Sequence, residues 1–465
     1  MSTPTLWIFL PILVGGTLLF FRSRKTIALS ASILTLFLTL AAWLLPIDTA
    51  MTIGGISLKI SSSFEIFGRH LMLTSADRSL LALIYGSSMV WFAVAPGIRA
   101  PRRFTSLGLI ITAILVAALA VEPFLYAALL IEMAVLLTVP LLSVPGKKPG
   151  KGLLRFLIFQ TLAMPFILFS GWLLAGIEAN PGNLGLVQQA AILIGLGFAF
   201  LLAVFPFYSW IPMLIEESSV YVVGFIFWLF PTVNLFFGLG FLDHYTWLKD
   251  LPDMGSILMV VGTLMVVSGG ILSAFQRQLG RIMGYAMIME TGFSILAISL
   301  MGTSGLNLFF MLLIPRFIGL LVWAFSLSIL KNHSPVLELA GIKGIARVLP
   351  FASSGLMLSL LAMAGMPLLA GFPAHQAIWE NLAVHSLPVV AWVLAGGISL
   401  IFTTLRVLSV FVMAPEGTLW ESHESNAQRI LLALGYLVLL LLGIFPQLVT
   451  PLWANLPVIF THLGQ

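Results

Sequence analysis

Apolar residues run in stretches of about 20 along almost the whole chain, the length that crosses a bilayer as a helix. Between charged or turn-rich breaks, the candidate spans fall near 4–21, 27–46, 79–96, 104–121, 123–144, 153–176, 187–209, 219–241, 254–275, 281–301, 305–330, 349–373, 388–413 and 428–446. The pattern therefore predicts an all-α, polytopic membrane protein of about 14 transmembrane helices. Residues 47–78 differ. Met51 to Ile60 alternates apolar with small or polar residues, as a short hairpin or strand does. The tail from Pro451 is apolar but short, and is expected to lie along a protein or membrane surface.

Two of these stretches are interrupted. Span seven ends in AVFPFYSWIP, with Pro206 and Pro212, and span twelve runs AMAGMPLLAGFPAH, with Pro367, Gly371 and Pro373. Broken helices in corresponding halves of a transporter-like chain point to an ion or substrate path at an inverted-repeat interface. The spacing suits a repeat of spans 4–8 against spans 9–13, and implies four regions. These are 1–103 (spans 1–3 with an extracytoplasmic hairpin), 104–245 and 246–413 (the two five-helix repeats), and 414–465 (the last span and tail).

Composition agrees with a membrane location and removes other classes. Of 465 residues 60% are apolar and 8% charged, against about 25% charged in soluble proteins. Mean hydropathy is +1.10. A soluble enzyme, a nucleic-acid binder and a secreted disulfide scaffold are excluded. Cysteine is absent, so disulfides and cysteine-held Fe–S or zinc centres are excluded too. No nucleotide fingerprint is present, and only His375 of the seven histidines sits at membrane depth. No cofactor or metal of the chain's own is expected; a redox centre would belong to another subunit.

The net charge of +5 arises from loops. Arg22, Arg24, Lys25, Arg99, Arg102, Arg103, Lys147, Lys148, Lys151 and Arg155 follow spans 1, 3 and 5, and Arg277, Arg281, Lys331, Lys343, Arg347 and Arg429 follow later odd-numbered spans. The opposite side carries Lys59, Arg69, Arg78 and Lys249. The positive-inside rule then puts both termini outside a cell (inner) membrane. The first span has no basic residue before it, which suits a retained helix.

Charges at membrane depth cost at least about 2.5–3.5 kcal/mol each and default to function. The candidates for a proton or ion path are Glu132, Glu290, Arg316, Arg406 and His375. Glu132 also suits an interhelical hydrogen bond, Arg406 an interfacial snorkel and His375 a cap at the break. Gln160 and Asn234 read as interhelical hydrogen-bonders. Under the repeat, Glu132 and Glu290 are counterparts.

The segments ALLIEMAVLLTVP, PFYSWIP, AFQRQLGRIMGYAMIMETG, LAMAGMPLLAGFPAH and TTLRVLSVF, followed by LLGIFPQLV, occur in order with consistent spacing. Together they resemble the antiporter-like membrane subunits of respiratory complex I (NADH:quinone oxidoreductase), membrane-bound hydrogenases and Mrp-type cation/proton antiporters. The resemblance implies a role for Glu132 in a proton path. It also implies partner membrane subunits, a hydrophilic redox arm in the parent complex, and protons or Na+ as the cargo. Departures accompany it. Tyr208 replaces a family histidine, Leu201 falls at the family's seventh-helix lysine, Asn234 near its eighth-helix lysine and His375 at its twelfth-helix lysine or glutamate. Arg316 is the nearest occupant of a further basic site, and arginine does not deprotonate in proteins.

Two versions of the implied function are left open. In one, Glu132, Glu290 and His375 carry protons with Arg316 and Arg406 tuning them. In the other, pumping is lost and the chain is a structural or coupling subunit. A stand-alone secondary solute transporter is the third reading, and requires a roomy midplane site.

Overall fold

The computed structural model describes residues 2–53, 56–66, 68–143, 146, 148–179, 183–249, 251, 253–413 and 420–463. Lys147 and the boundary at 414 lie outside the described residues. Among the described residues, eleven helices are long and apolar enough to cross a membrane, joined by three shorter apolar helices.

The shorter ones are α1 (Thr5–Leu18), α4 (Phe104–Ala120) and α14 (Pro350–Met363). The others include α2 (Arg24–Leu44), α3 (Arg78–Val94), α5 (Ala127–Leu142), α6 (Lys151–Ala179) and α7 (Leu184–Leu201). A short α8 (Trp210–Glu217) follows, then α9 (Val220–His244) and the single turn α10 (Thr246–Lys249). The second half holds α11 (Met254–Ala274), α12 (Leu279–Ser299) and α13 (Gly302–His333), then α15 (Phe372–His385), α16 (Leu387–Val412) and α17 (Asn426–Ile444).

Local chemistry sets several boundaries. Ser23 accepts the Thr26 amide at the start of α2, Asn183 accepts those of Gly185 and Leu186 at the start of α7, and Ser425 forms a reciprocal capping box with Gln428 at α17. The hairpin expected over Met51–Ile60 is present as β1 (Ala50–Ile53) antiparallel to β2 (Ile56–Lys59). A second hairpin, β3 (Ser63–Ile66) and β4 (Arg69–Met72), pairs onward with β5 (Val121–Glu122) beyond α4. That sheet was not legible in the sequence, because its strands are four residues or fewer and its third partner is distant in the chain.

Three helices form the centre. α9, α12 and α13 are apolar around nearly their whole circumference and are buried along most of their length. Helices α6, α7, α11, α16 and α17 keep an exposed apolar face, as lipid-facing or partner-facing helices do. The tail docks on this centre. Leu456 and Phe460 are buried, Asp243 accepts the amides of His462 and Leu463 at 2.7 and 2.8 Å, and Lys249 Nζ donates to the His462 carbonyl at 3.1 Å.

Because lipid supplies no hydrophobic drive between helices, close approach depends on small residues. α11 shows this twice. A Cβ at Gly269 would lie 2.6 Å from the Tyr285 carbonyl oxygen of α12, and one at Gly270 would overlap the Gly396 backbone of α16. The obstacle in both cases is backbone, which no rotamer change relieves. Gly270→Val is therefore expected to cost about 1–3 kcal/mol by overpacking. It should lower the melting midpoint of the detergent-solubilised chain, whereas Gly240→Ala, with open space at its Cβ, leaves that midpoint unchanged or raises it.

Candidate functional site

Both interruptions read from the sequence are real breaks. α7 stops at Leu201, and the chain turns through Ala203 (φ 51°) before α8 resumes at Trp210. α14 stops at Met363, and Gly365 and Leu368 (φ 76° and 70°) carry the chain to α15 at Phe372. A break releases carbonyls that the helix would have bonded, and in a membrane they need donors from the protein.

Two side chains meet that need at the first break. Gln160 on α6 donates from Nε2 to the Leu201 carbonyl at 3.2 Å and to that of Phe200 at 3.4 Å. Asn234 on α9 donates from Nδ2 to the same Leu201 carbonyl at 3.3 Å. These residues are interhelical hydrogen-bonders, as their type suggested, and their target is the open end of a half-helix. Their amide oxygens, Gln160 Oε1 and Asn234 Oδ1, are buried without a hydrogen-bond partner among the described residues.

Arg316 lies beside this break. It is 2% exposed, and its guanidinium donates to Thr291 Oγ1 at 3.3 Å, Ser294 Oγ at 3.4 Å and the Phe227 carbonyl at 3.4 Å, with Nε unpartnered. Gln160, Leu201, Thr291 and Arg316 line a cavity of about 20 Å³, enough for about one water. Glu290, Pro315, Gly371 and His375 line a second cavity of about 10 Å³. Consecutive residues thus face two chambers, Glu290 and Thr291 on α12, Pro315 and Arg316 on α13.

His375 occupies the first turn of α15 and is fully buried. Its ring stacks on Phe293 at 3.9 Å between centroids, and both ring nitrogens lack partners among the described residues. Glu290 and Arg316 line different cavities on neighbouring helices, with no hydrogen bond or ion pair between them among the described residues. The assembled axis runs from the first broken helix (Gln160, Asn234), through Arg316 and Glu290, to His375 at the second. Buried polar atoms without protein partners require a reason, and Gln160, Asn234, Arg316 and His375 each carry at least one among the described residues.

The other two candidates lie elsewhere. Glu132 on α5 accepts Thr161 Oγ1 of α6 at 2.8 Å, and its second oxygen is buried without a partner. It lines neither cavity and makes no contact with Arg316 in the hydrogen-bond network. Arg406 on α16 donates to the carbonyls of Ala274 and Gln276, and so caps the end of α11. The pairing of Thr291 and Ser294 with Arg316 was missed in the sequence. The available signal was their position next to Glu290 and four residues after it, in METGFS. Neither cavity has room for a solute, so the axis provides no roomy midplane site.

Leu201 lines the same cavity as Arg316, which decides what a lysine there would meet. Leu201→Lys is expected to place a second cation against a fixed one and to destabilise the chain, where Leu201→Met is near neutral. Combining Leu201→Lys with Arg316→Met should be more stable than the sum of the single changes by about 1 kcal/mol or more, the coupling typical of contacting residues. Thermal melts of the four proteins measure it, and strict additivity would refute the shared chamber.

The chain resembles known membrane subunits at two levels. It is 26% identical over 269 residues to NADH-quinone oxidoreductase subunit N of Rhodobacter capsulatus, covering 55% of this chain and 56% of that one. It is 26% identical over 339 residues to NADH-quinone oxidoreductase subunit N 2 of Acidobacterium capsulatum, covering 65% and 66%. The matched stretch thus spans less than two thirds of either relative. In fold it superposes with a TM-score of 0.77 on a chain of respiratory complex I from Thermus thermophilus, at 18% identity and with all of both chains covered. A chain of the membrane-bound sulfane sulfur reductase, an archaeal respiratory membrane complex, gives 0.81 at 18% identity, covering 100% of this chain and 98% of that one. A chain of the Mrp complex from Dietzia sp. gives 0.78 at 16%, covering 99% and 97%. Residues 157–403, more than half of the chain, match the NADH:quinone oxidoreductase/Mrp antiporter transmembrane family, and the protein is a multi-pass membrane member of that family.

Proposed function

We propose that this chain is an antiporter-like subunit of a larger membrane assembly of the complex I, sulfane sulfur reductase or Mrp type, and that it moves protons or Na+ coupled to redox or ion gradients generated elsewhere. The observation that carries the reading is the buried polar axis linking two broken helices. Carbonyls at a half-helix end, unpartnered amide oxygens and a fixed cation gather at the first break, and a carboxyl and an imidazole line the cavity at the second, with Glu290–Thr291 and Pro315–Arg316 adjoining the two. In such an axis Glu290 and His375 are the groups that take and release protons, since leucine does not titrate and arginine stays charged. Arg316 sets the local field, Arg406 holds the end of α11, and Glu132 serves the α5–α6 edge.

Family membership and the distribution of basic residues support the remaining features of the proposal. These are fourteen spans, an inverted relation between spans 4–8 and 9–13, the four regions given above, and an inner-membrane location with both termini outside. The partners are other membrane subunits and, in a complex I type of parent, a hydrophilic redox arm.

One observation favours the second version, a coupling subunit without ion movement. The break in α7 presents Leu201 where a titrating group would serve transport, and Glu132 is bonded to Thr161 instead of a cation. A single experiment separates the two. In the parent complex reconstituted into vesicles, Glu290→Gln and His375→Leu should each leave assembly intact and lower coupled proton or Na+ uptake at least tenfold. Uptake unchanged by both substitutions would leave the coupling role as the function.

A further inference from the structure

A roomy cavity elsewhere in the described structure has no part in the axis. It is an open cleft of about 1110 Å³ built from the ends of α1, α2, α4, α5, α8 and α13, all on the side where the basic loops gather. Its rim carries Arg24, Arg102, Arg103 and Lys331, together with Glu216 and Glu217. The two acids are engaged by other partners. Glu216 is paired with Arg281 at 2.6 Å, and Glu217 accepts the Gly152 amide at 2.7 Å near the start of α6.

The cations are differently placed. Arg24 donates to the Arg99 carbonyl at 3.2 Å and Arg102 to that of Phe21, each keeping further N–H groups from a set of five. Lys331 donates to the carbonyls of Ser218 and Glu216 at 2.9 and 3.3 Å. The exposed Arg103 side chain has no hydrogen bond or ion pair among the described residues. Beneath this rim the wall is apolar, with Leu18, Leu19, Ile27, Leu141 and Leu142.

A cationic rim over an apolar wall at a membrane surface matches one ligand chemistry. A free anion satisfies the rim and leaves the wall against water; an acyl chain alone does the reverse. An anionic phospholipid satisfies both, with its phosphate at the guanidinium groups and its first acyl carbons along the leucines. At about 30 Å³ per water, the volume holds many waters' worth of headgroup and chain. We propose that this cavity is a binding site for one anionic phospholipid, with Arg103 as its principal phosphate ligand.

The test uses the full chain in mild detergent, exchanged against phosphatidylglycerol or phosphatidylcholine and read by native mass spectrometry. The wild type should retain one phosphatidylglycerol in preference to phosphatidylcholine. Arg103→Gln should weaken that retention about fivefold, equivalent to the ~1 kcal/mol of one basic residue at an anionic surface, and Arg103→Lys should keep most of it. Lys148→Gln, a basic residue on the same side that does not line the cavity, should have no effect. Equal retention of the two lipids, or of phosphatidylglycerol by the wild type and Arg103→Gln, would overturn the proposal. So would full displacement by inorganic phosphate, which would make the occupant a free anion. Cross-linking from position 103 in the parent complex should reach lipid; capture of an acidic segment of a neighbouring subunit instead would also overturn it.

Discussion

A peptide carbonyl inside a membrane must find its donor within the protein, since no water is at hand. That requirement organises this molecule. An unbroken helix meets it unaided, and most of the chain consists of such helices. Where α7 stops at Leu201, the freed carbonyl draws in Gln160 from α6 and Asn234 from α9. Once those two amides are drawn in, their oxygens face inward without partners. The break and its polar company therefore come as one unit, and α8 turns back to pack tightly on α12, with Pro212 against Gly284.

The same requirement explains why the charged residues sit on the central helices. α9, α12 and α13 are buried over most of their length, and Asn234, Glu290 and Arg316 on them are themselves buried. Arg316 shares its donors among two hydroxyls and a main-chain carbonyl instead of a direct ion pair. Such an arrangement holds the cation in place while leaving the Glu290 carboxyl facing the second chamber with His375. The peripheral helices serve a different purpose. Their glycines permit close backbone approach, as between α11 and α16, and their exposed faces are apolar.

Much of this was legible in the sequence. Apolar runs of bilayer length located the unbroken spans, because a membrane imposes one length scale on each, but they ran past the ends of α7 at Leu201 and α14 at Met363 and did not show α15 as a helix of its own. Pro206, Pro212, Pro367 and Gly371 marked both breaks, since proline and glycine are where a helix loses its own hydrogen bonds. Scarcity of charge also exposed Glu290, Arg316 and His375 as candidates. The β3–β4–β5 sheet was not legible, since strands this short carry little pattern of their own and β5 joins from beyond α4.

What the sequence by itself determined is the membrane class, the order of helices, the broken segments and the set of unusual residues. Each of these is a local property of the chain, fixed by hydropathy and backbone chemistry. Only the tertiary structure decided which unusual residues meet. It joined Arg316 and Glu290 to the two breaks, left Glu132 with Thr161, and set Arg406 to capping α11. Five polar residues at similar depth look equivalent along a sequence, because depth is encoded by distance from a helix end. Lateral position in the membrane plane is encoded by helix packing, and that is set by contacts between residues far apart in the chain.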